Sequence, residues 1–122
     1  MMRYTLTILD PVTLMHRYVS PSVTPLLCYS PEEFNQISFY QLVDPSQSEW
    51  VKQIAEIRLA EYKPERGEGK FYTDEFQLIA KDGSRIWVES TFRFIRNEET
   101  GDPEIVGVSR DITEKKALER GR

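Results

Sequence analysis

The sequence predicts an α+β domain with helices carried on one face of an antiparallel sheet. Three observations carry that reading. The chain opens on two segments of strand composition, YTLTIL and LMHRYVS, separated by the turn DPVT, which pair as a hairpin. A middle region then drops the alternation and carries helix-start signals. Beyond residue 70 alternating strands return as FYTDEFQLIA, SRIWVESTFRFI and IVGVSRDIT.

The middle region is read from its caps. In YSPEEF, Ser30 caps, Pro31 suits the first helical position and Glu33 completes a capping box. The broken apolar pattern over residues 22–43 gives short helices. DPSQSEW starts a longer one, in which Trp50, Ile54 and Ile57, with Val51 beside them, form a stripe to bury. KPERGEG ends it as a loop. Asp82-Gly83 in KDG signals a hairpin between the next two strands, and RNEETGDPE is a longer polar loop.

Composition bounds the function. A chain of 122 residues makes one domain with one core, and 39% hydrophobic residues suit a folded chain. The net charge of −4 gives no electrostatic reason to expect nucleic acid or an anionic membrane as a partner. The one cysteine, Cys28, allows no intramolecular disulfide and no multi-thiolate zinc site, which fits a reducing, cytoplasmic setting. Cys28 reads as a small buried apolar residue. The one histidine, His16, permits no histidine-pair metal site and reads as an ordinary edge or core residue of the second strand. No long apolar run suggests a signal peptide, a membrane span or direct membrane contact.

The segments YVSPSVTPLLCYSPEEF, LVDPSQSEWV, EFQLIAKDGSRIWVES and GDPEIVGVSRDITEKKALE, in this order and over roughly residues 4–118, resemble a PAS domain of the kind carrying a PAC motif. The resemblance implies a five-stranded antiparallel sheet of order 2-1-5-4-3, with short helices and one longer helix on one face. It implies a module of bacterial-type signalling that senses small molecules, light, redox state or partners. Residues 1–113 are then the sensor, and 114–122 the start of an exit helix. That helix would lead to an effector in the same parent chain, a histidine kinase of a two-component system or a diguanylate cyclase; the sequence does not choose between them. A homodimer is expected. Two departures stand out: Cys28 replaces a frequent glycine, and Gln77 a frequent arginine.

Strand alternation places Phe76, Leu78 and Ala80 on one face, then Ile86, Val88, Ser90, Phe92 and Phe94, then Ile105, Gly107 and Ser109. In PAS folds these faces look under the helices. Phe76, Leu78, Val88, Ser90, Phe92, Ile105, Gly107 and Ser109 are therefore the candidate pocket lining, mostly apolar with two polar points. A filled core and a small apolar or mixed ligand both fit it. Flavin and haem are not expected. The position matching the flavin-adduct cysteine is Phe39, and those matching flavin-holding amides are Leu78, Val88 and Ser109. The long helix carries no histidine for haem iron.

No phosphate loop or nucleotide-binding glycine fingerprint is present, and a catalytic triad could use only His16. Glu32-Glu33, Glu65 with Glu68, and Glu98-Glu99 fall in caps and loops as solvated charge. The chain is not expected to be an enzyme; one would need an open cleft with converging carboxylates. Signal coupling is assigned instead to the output end. Asp111 continues the inward parity of Ser109, Ile112 faces the other way and Thr113 has the chemistry of a helix cap. By the resemblance, Asp111 and Thr113 join the core to the exit helix. Trp87 and Glu89, on the sheet's other face, are candidates for packing against that helix or a second copy. The alternative reading is a ligand-free structural interaction domain.

Overall fold

The computed structural model describes residues 4–120. In chain order it has β1 (Thr5–Leu9), β2 (His16–Val19), α1 (Val23–Leu27), α2 (Pro31–Phe34), α3 (Phe39–Leu42), α4 (Pro45–Glu61), a 3-10 turn (Pro64–Arg66), β3 (Phe71–Ile79), β4 (Arg85–Arg96), β5 (Pro103–Asp111) and α5 (Thr113–Arg120). The sheet is antiparallel, in the order β2-β1-β5-β4-β3 that the resemblance implies.

Local chemistry explains the elements. Asp10 Oδ1 accepts the N–H groups of Val12 and Thr13, both at 2.9 Å, which turns the chain from β1 into β2. The Ser30–Glu33 capping box forms in both directions, at 3.1 and 2.9 Å. Asp44 caps α4 by accepting the Ser46 N–H at 2.9 Å. In the β3–β4 hairpin only Gly83 has positive φ (+89°), so the loop is Lys81–Gly83 rather than a two-residue turn on Asp82-Gly83. Gly83 N–H donates to Ala80 O at 2.9 Å, and Asp82 Oδ1 accepts the Ser84 N–H at 3.0 Å.

Inward residues follow the predicted strand alternation. Phe76, Leu78, Ala80, Val88, Phe94 and Ile105 are all buried in one core cluster. The α4 stripe is different. Trp50 is 44% and Ile57 57% exposed, whereas Val51 is buried. The inward line runs Val51, Ile54, Ala55 and Arg58, rotated about one residue from the expected one. Arg58 makes this possible: its stem covers apolar surface, and its guanidinium reaches Asp74 at 2.6 and 3.0 Å.

Cys28 also departs from expectation. It is exposed, not buried, and ends α1 in the left-handed conformation with φ 66°. A glycine would suit that backbone.

Candidate functional site

Between α4 and the sheet lies a cavity of about 40 Å³. Leu9, Phe76, Phe92, Phe94 and Ile105 close it from the sheet, and Val51, Ile54, Ala55 and Arg58 from α4. Leu14 and Phe39 complete the wall. The rings of Phe39, Phe76 and Phe92 meet edge to face, at centroid distances of 5.5, 5.9 and 6.2 Å. By volume the space would hold one or two waters, and its lining is apolar apart from Arg58.

Of the eight expected lining residues, Phe76, Phe92 and Ile105 reach this cavity. Leu78 and Val88 are buried in the surrounding core. Ser90 and Ser109 hydrogen-bond to each other at 2.6 Å within the sheet, which satisfies the two polar points without a ligand. Gly107 gives up its side-chain space: a Cβ there would lie 2.9 Å from the Phe92 ring and from Thr7 Oγ1. Phe94, which strand parity turns inward, lines the cavity in addition to the expected residues. Arg58 was concealed by the assumption that the buried stripe of α4 is purely apolar.

The second structured feature is the β5–α5 joint. Ile112 N–H donates to Trp87 O at 2.8 Å, and Trp87 N–H donates to Thr113 Oγ1 at 3.2 Å. Thr113 is the first residue of α5 rather than its cap; the Thr113 N–H is taken by Asp111 Oδ1 at 2.8 Å. Asp111 keeps the parity of Ser109 but lies exposed at the strand end, while Ile112 is buried apart from the main core cluster. The helix then lies back toward the sheet's outer face. Lys116 Nζ sits 4.7 Å from the Trp87 ring centroid and 2.5 Å from Glu75 Oε1, holding the Glu75 carboxyl below the usual range. Glu89 pairs with Arg110 at 2.9 Å on the same face.

His16 is buried. Its Nδ1 donates to Ile37 O at 2.8 Å, and its ring lies 4.1 Å from that of Phe34. Burial pushes its pKa down to about 4. Phe39 is buried and packs edge to face against Phe76 and Phe92. Glu65, Glu68, Glu98 and Glu99 line one open groove with Glu104. Glu68 is engaged by Arg93 and Glu104 by Arg17, at 2.8 and 2.6 Å. No group of acidic, histidine or cysteine side chains among the described residues could hold a metal ion. Among the described residues, no helix is long and apolar enough to cross a membrane.

An antiparallel sheet of order 2-1-5-4-3, with helices over its inner face and a helix leaving its last strand, defines a PAS fold. The model of a PAS domain family matches residues 7–114, and the chain belongs to that family. Solved structures share the fold at low identity. The PAS-B domain of Drosophila melanogaster Cycle, solved with bound ethylene glycol, has a TM-score of 0.72 at 16% identity, covering 88% of this chain and 98% of that one. The N-terminal domain of a diguanylate cyclase with PAS/PAC sensor from Marinobacter aquaeolei has a TM-score of 0.66 at 16% identity, covering 93% and 99%. A domain of a sensory box sensor histidine kinase/response regulator from Geobacter sulfurreducens has a TM-score of 0.66 at 18% identity, covering 88% and 82%. No curated protein matches the sequence.

Proposed function

We propose that this PAS domain is a signal-sensing and dimerisation module that passes a ligand- or partner-dependent change through α5 to an effector in the same longer chain. It is not itself a catalyst. The observation that carries the reading is the two-way hydrogen bonding of the β5–α5 joint to Trp87 on β4. The Val88 side chain, one residue on, points into the core, so a change in core packing at β4 reaches the base of α5 through one peptide unit. A ligand biases the helix only by its differential affinity for the two arrangements.

Residues 1–113 then form the sensor and 114–122 the start of the output segment, of which residues 1–3 and 121–122 lie outside the described residues. The effector is a histidine kinase or a diguanylate cyclase, as in the bacterial neighbours. The setting proposed is cytoplasmic, with neither nucleic acid nor membrane as a direct partner. The small, aromatic-lined cavity supports a second reading, a ligand-free structural interaction domain that sets dimer geometry only.

Native mass spectrometry of freshly purified protein, compared with its denatured mass, tests the assignment. Dimer carrying added mass that vanishes on denaturation supports the sensor. Bare dimer supports the interaction domain. A monomer at micromolar concentration defeats the dimerisation claim in both.

A further inference from the structure

The sheet ends in two edge strands, β2 and β3, and they are treated differently. We propose that the open half of the β3 edge, Phe71 to Glu75, pairs antiparallel with the same segment of a second copy, joining two sheets into one across a twofold axis at Thr73. This names the surface of the proposed dimer and rests on that dimerisation.

Gln77 shows which main-chain groups are free. Its C=O accepts the Asp44 N–H and its N–H donates to Gln47 Oε1, both at 2.8 Å and both on the side away from β4. The β3–β4 register is unbroken from Phe71 to Ile79, so Glu75, Thr73 and Phe71 share the orientation of Gln77. Among the described residues, nothing bonds their N–H or C=O groups from that side. The open stretch has defined ends. Asp44 and Gln47 close it at Gln77, and the Gly69 N–H turns back to Phe94 O at 2.8 Å.

Sheet edges are normally blunted by shortness, bulges, prolines or charge. β2 follows this rule: it has four residues, its register shifts between Ile8 and Leu9, and Ser38 bridges Met15 just before it. β3 has nine residues in regular register and no proline. Its carboxylates do not guard the edge, because Arg58 holds Asp74 at 2.6 and 3.0 Å and Lys116 holds Glu75 at 2.5 Å. Phe71 is left 64% exposed. An edge of this kind accepts an extended strand.

A second copy supplies a strand that fits. With the axis at Thr73, Phe71 stands opposite Glu75, Tyr72 opposite Asp74 and Thr73 opposite its own counterpart. Every free N–H and C=O of the segment then meets its complement. No like charges face each other, and the Thr–Thr pair is a favourable one. Moving the axis to Tyr72 or Asp74 would bring Gly69 or Gln77 into the pairing, and their N–H groups are already used. Lys115 and Lys116 reach Glu75 from α5, so the interface lies beside the output helix.

The test is amide hydrogen exchange of the ¹⁵N-labelled domain across a concentration series, with sedimentation equilibrium on the same samples. The Phe71, Thr73 and Glu75 amides should exchange freely in the monomer and become protected as dimer forms, while the Gln77 amide is protected throughout. Thr73→Pro removes the central donor without touching a β3–β4 bond, and should weaken dimerisation by about tenfold with little change in melting temperature. If that variant does not fold, the wild-type exchange pattern decides alone. A dimer whose Thr73 and Glu75 amides exchange as in the monomer, or a folded Thr73→Pro with wild-type affinity, would overturn the edge and leave dimerisation through another surface standing. A wild-type chain that stays monomeric at every concentration would overturn both.

Discussion

The backbone N–H of Trp87 donates to the side-chain oxygen of Thr113 at 3.2 Å, so the strand that crosses the middle of the core and the helix that leaves the domain share one hydrogen bond. Asp111 takes the Thr113 N–H two residues back along the same turn. Thr113→Val removes the acceptor for Trp87, and Asp111→Ala the acceptor for Thr113. Each should cost about 1 kcal/mol. The loss should be local: faster amide exchange over residues 113–120, with exchange in β4 near the core little changed. If exchange in α5 is unaltered in both variants, the joint does not hold the helix.

His16 gives a pH dependence whose sign follows from burial. The fold holds the neutral ring, with a pKa of about 4 against 6.5 in the unfolded chain. Above pH 6.5 both states are neutral and the residue contributes no slope. As pH falls from 6.5 toward 4 the unfolded chain takes up the proton first, so stability is lost through that window, by up to about 3 kcal/mol. Urea midpoints measured between pH 7 and 5 should fall, and His16→Gln, which keeps a donor for Ile37 O, should flatten the curve. A wild-type midpoint constant from pH 7 to 5 would show that the ring is solvated.

Alternation in strands was the readable part of the sequence. Phe76, Leu78, Val88, Ser90, Phe94 and Ile105 are buried as their parity requires, because a period of two leaves little freedom of register. The helix was less readable. Trp50 and Ile57 look like core residues by type, yet the line that meets the sheet includes Arg58, whose charge is answered by Asp74, a residue 16 positions away. A partner that far along the chain leaves no mark in local periodicity. The cavity itself was not legible either, since its walls combine β1, α3, α4 and three further strands, and its volume depends on how rings such as Phe39 and Phe92 meet.

Gly107 is required by a close approach rather than by its dihedral angles. A methyl group there would sit 2.9 Å from Phe92 ring carbons and from Thr7 Oγ1. Gly107→Ala should therefore cost about 1–3 kcal/mol through overpacking. The second change Phe92→Leu should recover part of that loss. Full stability of the single variant in a thermal melt would mean that the Phe92 ring has room to move away.

The purified protein is expected to be colourless. Phe39 packs edge-on against Phe76, and Leu78 and Val88 offer no hydrogen bonds to a flavin ring. His16 sits on β2 with Nδ1 bonded to Ile37, not on α4. Visible absorption in the flavin or haem bands of freshly purified protein would refute this; a spectrum with only the aromatic band agrees with it.

Cys28 and Gly83 both hold left-handed backbone, at φ 66° and 89°, but only one of them is a glycine. A side chain in that region costs roughly 1–2 kcal/mol. Replacing Cys28 with glycine relieves that cost but gives the unfolded chain more freedom, worth about 0.4–1 kcal/mol in the opposite direction. The difference predicts that Cys28→Gly stabilises the domain by about 0.5–1 kcal/mol. Gly83→Ala should do the reverse, by about 1 kcal/mol, because its turn needs the same conformation. The thiol is exposed, and its nearest polar contact, Asp82 Oδ2 at 4.0 Å, is weak, so little is lost with it. If Cys28→Gly melts below the wild type, the thiol contact must outweigh backbone strain at the end of α1.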